Sequence, residues 1–155
     1  MAKRRTQIVL FYVGLAATLL PTLVRASTSD EQFDCTSNPH QFISSLIDAK
    51  SIDPQPARVE PNSVNAFRPT HGSELHAFGF RIYRVFGYER DDALFHQGNG
   101  KTIDGPVYGV VVSAPAESVK KRLEEANSRA TVHAVVPLLL TAIVCDGQST
   151  PVSAR

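Results

Sequence analysis

The sequence predicts an α+β domain: a mostly antiparallel, twisted sheet of four or five strands with two helices packed on one face. Three observations lead there. Segments 39–50 and 115–129 repeat their apolar residues at helical spacing. Segments 76–88, 107–112 and 134–145 are rich in β-branched and aromatic residues and are bounded by turn signals. The elements follow in the order α-β-β-(β)-β-α-β, which suits a sheet with both helices packed on one face.

Asn38-Pro39-His40-Gln41 supplies an N-cap, a proline at the first helical position and a glutamine at the third, a variant of the capping box. Phe42, Ile43, Leu46 and Ile47 then form an apolar stripe, and Pro54 and Pro56 close the segment. Residues 57–67 read as an extended edge segment, because Pro61 cannot donate to a ladder. A turn covers Arg68 to Gly72. His76–Tyr88 carries the strongest strand signal. Period-two alternation sets Phe78, Phe80, Ile82 and Phe86 on one face, with Arg81, Tyr83 and Val85 on the other. Arg84 and Tyr88 fall with the phenylalanines. Ala93-Leu94-Phe95 suggests a short returning strand, and 96–106, with three glycines, a loop. Val107–Val112 is a strand. Pro115 opens a helix with Ala116, Val119, Leu123 and Ala126 inward and Lys120-Lys121-Arg122 on its solvated side among glutamates. The stretch 134–145 is too short to span a bilayer and its β-branched residues favour a strand, buried on both faces and bent at Pro137.

The chain begins with Lys3, Arg4 and Arg5, then an apolar run from Ile8 to Val24, then Val24-Arg25-Ala26. That pattern predicts a cleavable secretory signal over residues 1–26, cut after Ala26, of Sec type and bacterial in appearance. The alternative is an uncleaved anchor, for which the run is barely long enough. The expected organisation is then a loose mature N-terminus at 27–34, one domain at 35–147 and a loose tail at 148–155. The compartment is the periplasm or beyond, without stable membrane insertion after cleavage.

Of 16 basic and 15 acidic residues, four basic ones (Lys3, Arg4, Arg5, Arg25) and no acidic one precede residue 27, so the remaining 129 residues carry 12 basic against 15 acidic, a net charge of −3. That balance gives no support for nucleic-acid binding. Cys35 and Cys145 are the two cysteines, and an oxidising compartment predicts that they pair.

Motifs for chemistry are sparse. Gly100-Lys101-Thr102 resembles the end of a phosphate-binding loop, but Phe95 stands where the first glycine belongs. No His-x-x-x-His pair occurs among His40, His71, His76, His96 and His133, and a metal site from His71, His76 or His96 with Asp91 or Asp92 has no support from spacing. Glu89, Asp91 and Asp92 read as a turn. No cofactor, metal or catalytic constellation is predicted. Arg81 and Tyr83 are the candidate binding residues, being types enriched in binding hot spots on one strand face. The function expected is a non-catalytic binding module, such as an inhibitor, an immunity-type protein or an envelope accessory, whose partner is another envelope protein. The alternative is a small hydrolase with a site assembled from dispersed His and Asp/Glu residues. A pocket with two histidines and a carboxylate would favour the hydrolase; an open Arg/Tyr sheet face would favour binding.

Overall fold

Local capping and burial build the first helix as the sequence suggests. The computed structural model describes residues 29–146, so the expected signal with its cleavage point at Ala26 and the tail 148–155 lie outside the described residues. Helix α1 spans Pro39–Asp48; Asn38 caps it, its side chain accepting from the Gln41 N–H at 2.8 Å. Phe42, Ile43 and Leu46 face inward. Ahead of it, Ser29–Phe33 forms a 3-10 turn. Phe33, within the stretch that composition suggested was loose, is fully buried against Phe42 and Phe78. The Asp30 carboxylate accepts from the Phe78 N–H at 2.6 Å and pins the turn.

The sheet has seven strands: β1 Arg58–Val59, β2 Asn65–Phe67, β3 His76–Ala77, β4 Phe80–Tyr88, β5 Val107–Val112, β6 Thr131–Val136 and β7 Leu140–Asp146. All pairings are antiparallel, in the order β1-β2-β4-β5-β7-β6, with β3 paired to the start of β4. Helix α2, Ala116–Glu125, lies between β5 and β6. Both β5 and β6 run antiparallel to β7, which sits between them, so β5-α2-β6 is a crossover split by β7. Val119 and Leu123 of α2 join Phe42 and Ile43 of α1 in one core. Both helices therefore cover the same sheet face, which presents Val85, Val110 and Ile143, all fully buried. Burying such side chains contributes roughly 1.5–3 kcal/mol each. Gly87, on this face, lets Ile43 and Phe95 close over the strand.

The fold class is as expected, but with seven strands rather than four or five, and the surplus has local causes. The segment 57–67 divides into β1 and β2 around Pro61. The long segment 76–88 breaks at Phe78-Gly79, where both residues take positive φ (52° and 81°) and turn the chain back as a hairpin. The stretch 131–146 is likewise a hairpin instead of one bent, buried strand. Pro137 and Leu138 form its turn, with φ 64° at Leu138 and the Leu139 N–H donating to the Val136 carbonyl at 3.0 Å. Proline first and a positive φ second is the chemistry of a type II turn. In consequence β6 is an exposed edge, while β7 alone is central. Ala93-Leu94-Phe95 forms no strand. The Asp92 side chain instead turns it by accepting from the Leu94 N–H, and Phe95 still packs beside Tyr88.

Cys35 and Cys145 form a disulfide, closing a separation of 110 residues between the entrance of α1 and the end of β7. Asn65, fully buried, locks the glycine loop after Phe95 to the β1–β2 turn. Its amide donates to the Ser63 and His96 carbonyls, both at 2.8 Å, and accepts from the His96 N–H at 2.9 Å. Gly98 closes against the Glu60 and Pro61 backbone, where a Cβ would overlap the Glu60 carbonyl. No described helix is long and apolar enough to cross a membrane.

Candidate functional site

The sheet face opposite the helices is left open, and β-bulges shape it. In β4, Ile82 pairs with Val112 but Arg84 pairs with Val111, so Tyr83 is an extra residue. The bulge shifts the alternation: Ile82 and Val85 point to the core, while Arg81, Tyr83, Arg84 and Phe86 are left toward the open face. A second bulge in β6, between Ala134 and Val136, makes Val135 the extra residue. Both bulges fall next to one cross-sheet row, Ile82–Val112–Thr141–Ala134, so they reshape the same end of the sheet.

The result is a shallow groove of about 570 Å³. Phe86, Val111, Ala142 and Leu140 make an apolar floor. The β1–β2 turn, with Val64 and Asn62, forms one lip, and Val135 lies at the other. The Phe86 ring lies over Gly109 of the next strand, whose bare Cα leaves it room. Beyond Val135 the turn of the β6–β7 hairpin displays Leu138 and Leu139, 80% and 64% exposed. A leucine in the left-handed region costs roughly 1–2 kcal/mol, so this tip is both apolar and strained.

Tyr83 and Arg84 form a ridge between this groove and a second hollow of about 410 Å³ lined by Arg81, Ser113 and His71. The Arg84 guanidinium stacks on the Tyr83 ring at 4.2 Å and donates to the Tyr83 carbonyl at 2.7 Å. Such a stack contributes about 0.5–1 kcal/mol at an exposed site. Phe67 pairs with Val85, so the register brings Arg68 beside Arg84. Arg58 is neutralised by Glu60 at 2.7 Å. Among the described residues Arg68, Arg81 and Arg84 have no ion pair.

The structure therefore brings Arg81 and Tyr83 together along the second hollow and adds Arg84, which simple alternation had set with the phenylalanines on the other face. Tyr88, which alternation had grouped with Arg84, is buried instead. A two-residue period counts every strand residue as paired, and the bulge at Tyr83 breaks that count.

Elsewhere the chemistry is thin. His40 pairs with Asp92 at 2.7 Å beside an open hollow that also holds Glu89 and Asp91, with no hydroxyl or thiol side chain in its lining. His71 and His76 are exposed, and His133 sits on edge strand β6 near Thr131 at 3.3 Å. Among the described residues no three His, Cys, Asp or Glu side chains group as metal ligands. Gly100-Lys101-Thr102 lies in the glycine loop, with the Thr102 hydroxyl 3.1 Å from that of Ser63 and no helix after it. Lys120, Lys121 and Arg122 are exposed on α2.

No family model matches the chain. Neither a curated protein nor a solved structure shows significant similarity to it.

Proposed function

We propose that the chain is an exported, soluble, non-catalytic binding protein that engages another protein of the cell envelope through its open sheet face. The observation that carries this reading is the composition of that face. It joins an apolar floor, an exposed Tyr83–Arg84 stack and arginines that make no ion pair among the described residues, on the side the helices leave uncovered. Aromatic and arginine side chains around an apolar centre are the usual anchors of protein interfaces. The side chains sit on strands, so the surface is preformed and little ordering is needed on binding.

Export is supported by the disulfide, which suits an oxidising compartment, and by the amino-terminal pattern. The test is crosslinked affinity capture of the tagged protein from its own envelope fraction, with Arg81→Ala, Tyr83→Ala and Arg84→Ala in parallel. A stoichiometric partner lost in these variants, all still folded by circular dichroism, supports the reading. A partner retained by all three, or none at all, removes it.

A further inference from the structure

We infer that the groove receives an acidic, otherwise apolar peptide segment of a partner protein, laid across the strands with its carboxylate at Arg68 and Arg84. This rests on the binding role proposed above and adds the chemistry of what is bound. Charge favours such a ligand. The register sets Arg68 and Arg84 side by side at the groove, and no carboxylate offsets them among the described residues. Like charges on neighbouring strands are unfavourable, and a carboxylate placed between them removes that cost and gains charge-assisted hydrogen bonds. Glu60, the acidic residue in the lining, is already held by Arg58.

The chemistry of the groove also changes along its length. Its cationic end lies over β2 and β4, and its apolar end over β7 and β6, where Leu140 and Val135 stand. From β4 to β6 there are three strand spacings, about 14 Å at ~4.8 Å each. An extended chain advances ~3.3 Å per residue, so the acid and the aliphatic anchor of the ligand are separated by roughly four residues. The shape of the groove also favours a peptide. The groove is open along its length, so a small amphiphile would stay half-exposed, whereas small-molecule sites enclose most of their ligand. A peptide segment needs only such a shallow bed with a few anchors.

The test uses synthetic ten-residue peptides, about that long so that they overhang the groove, in four classes: acidic-apolar, the same with Glu→Gln, basic-apolar and acidic-polar. Binding is read by fluorescence polarisation between ~50 and ~300 mM salt. The expected result is that acidic-apolar peptides bind best when acid and aliphatic are about four residues apart, and that the Glu→Gln isosteres bind about 10-fold more weakly or worse. Arg68→Gln and Arg84→Gln each weaken binding by a similar factor and flatten its salt dependence, while Arg122→Gln on α2 leaves it unchanged. Equal binding of the uncharged isosteres, unchanged binding in the arginine variants, or no binding of any acidic-apolar peptide overturns the inference. A photo-crosslinker at Val111 separates the two claims. A trapped partner segment that is uncharged or basic leaves the binding face standing and overturns the acidic ligand; an acidic, apolar segment supports both.

Discussion

Replacing Asn65 with alanine tests whether one buried amide holds the lip of the groove. Its side chain makes three hydrogen bonds of 2.8 to 2.9 Å, two of them to His96, 31 residues away. Each is worth about 0.5–1.5 kcal/mol net, and any backbone group left buried and unpaired adds about 1–3 kcal/mol. Some of the exposed loop groups recover water, so the expected loss is about 2–4 kcal/mol. At the described domain's size that lowers Tm by roughly 10 °C or more. Urea unfolding followed by far-ultraviolet circular dichroism measures it, with Asn65→Asp as the companion. Asp retains an acceptor for the His96 N–H but sets a carboxylate against the Ser63 and His96 carbonyls, so it destabilises at least as much. The β1–β2 turn also lines the groove through Asn62 and Val64, so amide exchange should quicken there and in the loop after Phe95. A loss below about 1 kcal/mol, or exchange unchanged at both loops, refutes the argument.

The disulfide closes a separation of 110 residues, so Cys35→Ser with Cys145→Ser lowers stability by ~4–5 kcal/mol in urea titrations; a loss under ~1 kcal/mol contradicts it. Leu138→Gly relieves a positive φ at an exposed tip and raises stability by about 1 kcal/mol, while weakening partner capture if the apolar tip is used. The Tyr88 hydroxyl is buried without a partner among the described residues, so Tyr88→Phe leaves Tm unchanged or raised; a drop of several degrees would show that the hydroxyl is satisfied. Burial, and then the negative charge of Asp34, raise the Tyr108 pKa above its ordinary value. Above pH ~10 the unfolded chain therefore releases a proton that the folded state retains, and stability falls as pH rises. Tyr108→Phe should remove that part of the alkaline decline, read as the difference between the two proteins' stability–pH curves.

Helix α1 was legible because its signals are local: a cap, a proline and a four-residue stripe all sit within ten residues. The disulfide was legible because two cysteines leave one intramolecular pairing. The second helix was legible from Val119 and Leu123, both of which are buried. The strand count was not, because two of the three breaks carry weak turn chemistry. Phe78-Gly79 puts a phenylalanine where asparagine or aspartate is usual, and Pro137-Leu138 puts a leucine where glycine is usual. In both, tertiary contacts override local preference: Phe78 turns inward onto Phe33, and the β6–β7 ladder fixes Leu138. The site was half legible. Arg81 and Tyr83 stood out by residue type, but Arg84 and Phe86 join them through the bulge at Tyr83, which is set by pairing with β5. The residue types of this segment do not mark where the bulge falls.

The central claim, that the uncovered sheet face is a binding surface, is tested most directly by photo-crosslinking within the native envelope. The crosslinker is placed at Val64, at Val111 or, on the helical side, at Lys121. One partner is expected to be trapped from Val64 and Val111 and nothing from Lys121. Trapping from Lys121 alone, or equally from all three positions, would contradict it.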